Sequence, residues 1–318
     1  MIVDLFAGPG GCDEGLRLMG RSDVVGIESD IHACATRADA GHKTIRADVR
    51  HMPTGPMAGR VEGLIASPPC TPFSQAGNGD GRALIAELCD DVTNGRWAAT
   101  SRVVGLAGLV LEVGRWIESV GPDWLVCEQV PQVLPVWEAY RDRLRRDGWS
   151  AWAGVLCAAD YGVPQTRERA FLIAHRDRLV HPPAPTHAKD PQPGLFGTPL
   201  ERWLSMADAL GWTGHGEMQP GGGAKQYVRR VPTSSPSPTL AFGNDYSRWV
   251  WHQPATTVCG DPVRLTLPEA LTLQGFPSDY PLRGSERAQW RQVGNAVPPP
   301  LAAAVLAQVA APALEAAA

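Results

Sequence analysis

No two of the seven cysteines, at positions 12, 34, 70, 89, 127, 157 and 259, stand in C-x-x-C spacing, and no two of the eight histidines stand in H-x-x-x-H spacing. An odd, unpaired set of thiols argues against both a disulfide framework and a zinc knuckle, so reduced cysteines and no metal are expected. No run of about 18 apolar residues occurs, and "MIVDLFAGPGG" lacks the basic region and small-residue cleavage site of a signal peptide. A cytoplasmic location and no membrane contact are the expectation. Lysine is scarce, at 43, 189 and 225 alone, and arginine carries the positive charge. With so much alanine, that imbalance reads as GC-rich coding rather than function. The formal net charge of −4 argues against a nucleic-acid coat over the whole surface. Residues 176–264 nevertheless hold 9 Lys+Arg against 7 Asp+Glu, a mildly basic stretch in an acidic chain.

What is present is an alternation of short apolar runs and amphipathic ones. "MIVDLFAG", "DVVGIESD", "VEGLIASPPC", "PDWLVCEQV" and "RAFLIAHR" read as strands. "CDEGLRLM", "SRVVGLAGLVLEVGRWIESV" and "AYRDRLRRDG" carry helical periodicity. Strands alternating with helices predict an α/β fold, a mostly parallel sheet with helices on both faces, which binds ligands beyond the carboxyl ends of its strands. From about residue 180 the chain turns proline- and glycine-rich ("HPPAPTHAKDPQPG", "VPTSSPSPT"), with Trp203, Trp212, Trp249 and Trp251 to build a small core. "PSPTL" (236–240) and "PATTV" (254–258) echo each other, as two similar edge strands would. From "RLTLPEALTLQGF" helical periodicity returns. The expected organisation is a catalytic domain over 1–179, a loop-rich β domain over 180–264, and a C-terminal segment over 265–318 returning to the first.

Several of the strand ends carry chemistry. After the first, Gly8, Gly10 and Gly11 form a turn that lets a ligand approach the backbone. Glu28 ends the next strand 20 residues after Gly8, where an acid can bind the ribose hydroxyls of an adenosine cofactor. Asp48 in "RADVR" could take the adenine amino group. In "SPPCTPFSQAG" (67–77), Pro68, Pro69 and Pro72 leave Cys70 few backbone alternatives. A buried structural thiol would not need such stiffness.

Taken in order, these stretches resemble the DNA cytosine-C5 methyltransferases. "DLFAGPGG" is similar to their S-adenosylmethionine loop, "SPPCTPFS" to their Pro-Cys nucleophile motif, "EQV" to their Glu-Asn-Val motif and "QTRER" to their Gln-x-Arg-x-Arg motif. "RLTLPEALTLQGFP" and "QVGNAVPPPLA" match their two C-terminal motifs, and the proline-rich segment falls where they keep the target-recognition domain. The resemblance runs from residue 2 to about 305.

The resemblance implies an S-adenosylmethionine-dependent enzyme that flips a cytosine out of double-stranded DNA. Carbon 5 of cytosine is a poor nucleophile, so the Cys70 thiolate would add to carbon 6 while Glu128 activates ring N3. Arg169 would contact the cytosine O2, and Arg167 would steady Glu128 and a backbone phosphate. The cofactor site would comprise Phe6, Ala7, Gly8, Gly10, Gly11, Glu28, Ser29, Asp48 and Val49, with Pro69, Asn295 and Val297. DNA would be met by Ser74, Gln75, Gln129 and Gln165, and in the recognition segment by Arg229 and Arg230. A monomer is expected, with a cognate restriction endonuclease as a partner.

Gln129 departs from the pattern, standing where the family has asparagine beside the catalytic acid. Its longer reach either is absorbed by the strand end or enters the space near the sulfonium, which would suit a modified methyl donor. The segment "NGDGRALIAELCDDVTNGRW" also exceeds a minimal catalytic loop, and would close over DNA. Other readings on the same residues are a DNA-binding homologue without activity and an RNA cytosine methyltransferase.

Overall fold

The computed structural model describes residues 1–74, 80–97, 100–191, 199–212, 217–220, 231–240, 249–252 and 263–310. A seven-stranded sheet carries the molecule. Its strands are β1 (Ile2–Leu5), β2 (Val24–Glu28), β3 (Lys43–Arg46), β4 (Gly63–Ala66), β5 (Trp124–Gln129), β6 (Ser150–Cys157) and, after the short β7 (Gln165–Thr166), β8 (Glu168–His175). The order is β3-β2-β1-β4-β5-β8-β6. The first five strands are mutually parallel, while β8 runs antiparallel to both β5 and β6. The chain leaves β1 toward β3 and returns on the other side with β4, so the order reverses between β1 and β4. A crevice at the carboxyl ends of these strands is the expected ligand site.

Helices α1 (Gly11–Leu18), α2 (Ile31–Asp39), α3 (Asp80–Ala83), α4 (Ile85–Thr93), α5 (Glu112–Val120) and α6 (Leu134–Arg146) alternate with the strands. Central strands β1, β4 and β5 are buried throughout, as strands covered on both faces must be. One face packs Phe73, Trp116, Trp137 and Tyr140; the other packs Leu16, Trp124, Leu301 and Val305.

Beyond the sheet come β9 (His187–Ala188), β10 (Glu201–Arg202), α7 (Met206–Leu210), β11 (Glu217–Pro220), β12 (Val231–Pro232), β13 (Ser237–Pro238), β14 (Trp249–His252) and β15 (Val263–Arg264). Strands β12-β11-β14-β15 form a second, antiparallel sheet. The last helices are α8 (Leu267–Leu273), α9 (Glu286–Asn295) and α10 (Pro299–Leu306). A third apolar cluster joins Met206 and Leu240 to Leu271, Phe276, Tyr280 and Trp290. Residues 254–258, the second half of the sequence echo, lie outside the described residues.

Several elements differ from the sequence reading, helix α2 among them, which it did not name. Helix α5 begins at Glu112, preceded by a 3₁₀ turn over Ala107–Leu111 and by Gly105 in a left-handed conformation, φ 79°, which helical backbone does not adopt. The segment after Cys70 holds two helices rather than a loop alone. Leu88 and Val92, four residues apart, bury one face of α4 against α6. Strand β6 has no counterpart in the sequence reading.

Candidate active site

The cavity opens where β1, β2, β4 and β5 end, and its wall includes Phe6, Glu28, Cys70 and Glu128. Each is delivered by a strand terminus. Past β1 the backbone stays tied to the sheet, with Ala7 N–H donating to Ile27 O at 3.2 Å. Phe6 takes φ 59°, the one positive φ at a non-glycine position among the described residues, a strained placement of the kind found at functional sites. Gly11 begins α1 where a Cβ would lie 2.1 Å from Val297 O, so only glycine lets the helix meet the C-terminal segment here. Glu28 organises the next turn: one carboxylate oxygen accepts from Gly8 N–H at 2.8 Å, the other from Ser29 and Asp30 N–H at 2.7 Å each.

β4 delivers Ser67–Pro68–Pro69–Cys70, and the Cys70 carbonyl accepts from Phe73 and Ser74 N–H, both at 3.0 Å. β5 brings Glu128 into the same cavity. In β8, Arg169 Nε lies 3.0 Å from Glu128 Oε1, and both side chains are about nine-tenths buried. Arg167 is buried and donates to Gly294 O at 2.9 Å. The ion-pair partner of Glu128 is therefore Arg169, and Arg167 acts on the acid through its charge alone.

Burial decides the electrostatics. It pushes the Glu128 carboxyl above the ordinary carboxylate range, and the opposing pull of Arg169 and Arg167 does not cancel it. The Cys70 thiol is also raised, first by burial and then by Glu128, with the two arginines pulling the other way. Burial and the neighbouring Arg169 push Arg167 down to about 9, still cationic at neutral pH.

Ala7, Gly8, Ser29, Pro69, Asn295 and Val297 also line the cavity, together with both arginines. Gly10 stands behind that wall, at the left-handed residue before α1. Asp48 and Val49 stand apart from it. The Asp48 carboxylate is taken by Arg50 at 2.6 Å, which holds it below the ordinary range, and Val49 is core. Gln129 is corrected as a substrate-facing residue: it is fully buried, donating to Pro68 O at 2.9 Å and accepting from Val130 N–H at 2.7 Å. Its extra methylene reaches the neighbouring strand end instead of the cavity. Gln165 is likewise buried, donating to Gln274 Oε1 at 2.7 Å and accepting from Leu240 N–H at 3.3 Å. Ser74 holds the turn after Cys70 and is not part of the wall; Gln75, Arg229 and Arg230 lie outside the described residues.

Sequence reasoning missed Asp4, Ser67 and Arg291 in the wall. An acid inside the apolar run "IVDLF" was the available signal for Asp4. Asp4 Oδ1 and Ser67 Oγ are buried without a protein partner, and burial, then the charge of Asp13, raises the Asp4 carboxyl despite Arg37. Such acceptors fit the cationic end of an S-adenosylmethionine molecule. Glu28 and the open face of Gly8, where a Cβ would meet nothing closer than 4.0 Å, fit its ribose end.

The family model for the C-5 cytosine-specific DNA methylases matches residues 1–202 and 220–311. The chain is 29% identical to the type II methyltransferase M.NgoMIV of Neisseria gonorrhoeae, covering 96% of each. It is 27% identical to M1.HphI of Haemophilus parahaemolyticus, over 95% of this chain and 84% of that one. Among solved structures, the Dnmt2 methyltransferase of S. pombe superposes with a TM-score of 0.63 at 14% identity, over 97% of both chains, a likeness of fold.

Proposed function

The chain belongs to the C-5 cytosine-specific DNA methylases, and on that footing we propose how its own residues carry the reaction. It is a DNA cytosine-C5 methyltransferase that uses S-adenosylmethionine. The supporting observation for the residue roles is that Cys70, Glu128 and Arg169 share one cavity with Glu28 and Gly8, so a reacting ring and an adenosine group can be held side by side.

The Cys70 thiol, its ionisation aided by the charges of Arg169 and Arg167, releases its proton to water and adds as the thiolate to carbon 6 of the flipped cytosine. Glu128, its carboxyl raised by burial, donates a proton to N3 and draws electrons from the ring as the sulfur bond forms. Arg169 orients Glu128 and offers its remaining N–H groups to the cytosine O2. Gly8, Glu28, Phe6 and Asn295 hold the cofactor, which supplies an electrophilic methyl group for carbon 5 when bound. Loss of the carbon 5 proton to water, expulsion of the Cys70 thiolate and return of the N3 proton to Glu128 then restore the ring double bond. Gln129, turned toward Pro68, leaves the cavity shaped for a plain methyl donor.

Residues 180–264 form the recognition domain, reading bases in the major groove. The type II names of the relatives carry the further reading that this enzyme protects sites against a cognate restriction endonuclease in a bacterial cytoplasm. Duplex DNA with 5-fluorocytosine at the target tests the roles, because carbon 5 then has no proton to lose. Wild type is expected to form a covalent complex. Cys70→Ala is expected to form none while keeping S-adenosylmethionine affinity within about twofold, and trapping by that variant would refute the assignment.

A further inference from the structure

The loop that cradles the cofactor is held from behind by a residue 271 positions away in sequence. Tyr280 is 7% exposed, and its hydroxyl donates to Pro9 O at 2.6 Å. The same peptide plane is held at its other end, where Gly10 N–H donates to Ala7 O at 3.1 Å. That plane would otherwise turn easily, because Gly10, at φ 106° and ψ 28°, tolerates backbone conformations that other residues do not. The hydroxyl is itself oriented. Arg17, which can only donate, faces His42 Nδ1 at 3.4 Å, so His42 Nε2 presents the N–H that lies 3.1 Å from Tyr280 Oη and 3.0 Å from Glu14 Oε1. The tyrosine oxygen accepts on that side and its own proton is left for Pro9. A side chain at Gly10 would come within 2.8 Å of His42 and 3.0 Å of Tyr280 Oη, so imidazole and phenol are packed directly onto the loop.

We propose that Tyr280, backed by His42, is a positioning residue for S-adenosylmethionine: it locks the Pro9–Gly10 peptide in the orientation that the binding loop needs. This rests on the reading of the cavity as the cofactor site. Pro9, Gly8 and Gly11 line that cavity, whereas Tyr280 does not, so its effect is indirect. Without the hydroxyl the loop samples a second orientation, and the measured affinity falls by the fraction of molecules still in the competent one.

The test is Tyr280→Phe, which keeps the ring and its packing on Phe276 (centroids 4.8 Å apart). Calorimetry with S-adenosylmethionine and with S-adenosylhomocysteine is expected to show both dissociation constants raised about three- to tenfold, the span of one lost hydrogen bond. Exchange of the Gly10 amide should accelerate, and kcat at saturating cofactor should stay within twofold. Dissociation constants within twofold of wild type overturn the proposal, whatever the melting temperature does. A wild type that binds neither ligand overturns the reading of the cavity instead.

Discussion

Glu128 sits between two opposing influences, and the direction of the balance is measurable. Its nearest cation is 3.0 Å away, which alone would favour the carboxylate, yet burial is the larger effect and the folded carboxyl holds its proton more tightly than an unfolded one. For an acid raised in the folded state, the stability it contributes is fully present below the unfolded value, about 4.3, and is lost as the pH climbs through the folded value. A glutamine at this position has no such dependence. The melting temperature of Glu128→Gln relative to wild type is therefore expected to move in favour of the variant between pH 4 and pH 8. Each tenfold tightening of the proton amounts to about 1.4 kcal/mol, roughly 2 °C for a chain of this size. A relative shift in the opposite direction would mean that Arg169 dominates and that Glu128 is a plain carboxylate. The variant should be inactive at every pH.

At the scale of elements, glycine in the middle of β2 looks like a weakness, since a strand interior gains nothing from it. Gly26 is there because a Cβ would fall 2.1 Å from the Arg37 guanidinium. Both Arg37 terminal nitrogens donate to Asp13, at 2.7 Å each, and Nε donates to Thr44 Oγ1 at 2.8 Å, with both charged side chains fully buried. Gly26→Ala is expected to displace Arg37 and leave Asp13 without its partner, a loss of about 3–5 kcal/mol by urea unfolding; a cost under about 1 kcal/mol would show that the pair can re-form elsewhere. The sequence made β2 legible through Val24, Val25 and Ile27, but not the reason for Gly26, because that reason lies on another element. The same limit explains the other misses. β6 mixes alanine, tryptophan and glycine, and is a strand because β8 offers it eight paired positions. Gln129 and Gln165 were expected to face substrate from their places beside Glu128 and Arg167 in the matched motifs, whereas their amides join separate strand ends and loops. Cys70, Glu128, Glu28 and the glycine turn were legible because strand ends in a parallel sheet converge by topology, without help from distant packing.

Across the whole molecule, the segment proposed to read DNA is not simply appended. β13 pairs in parallel with β7, which immediately precedes Arg167 and Arg169. From there a line of amides runs through the interior: Leu240 N–H to Gln165, Gln165 to Gln274 at 2.7 Å, and Gln274 to Ala296 O at 2.6 Å, beside Asn295 and Val297 in the cavity wall. Leu240 is fully buried in the cluster that includes Tyr280 and Trp290. Residues 231–240 thus share one core with α7 and the C-terminal segment, so the useful exchange lies between α7 and residue 231. A chimera that takes residues 213–230 from a relative with another target and keeps α7 and 231–240 is expected to methylate with altered site preference and kcat within about tenfold, read by base-resolution sequencing of modified cytosine. Extending the exchange through residue 240 removes Leu240 and the Ser237–Pro238 pairing together, and each buried hydrogen-bonding group left without its partner costs about 1–3 kcal/mol. That longer chimera is expected to lose activity against both targets. Unchanged site preference in the shorter chimera would move sequence reading out of residues 213–230 and toward the strands that pack against Gln165.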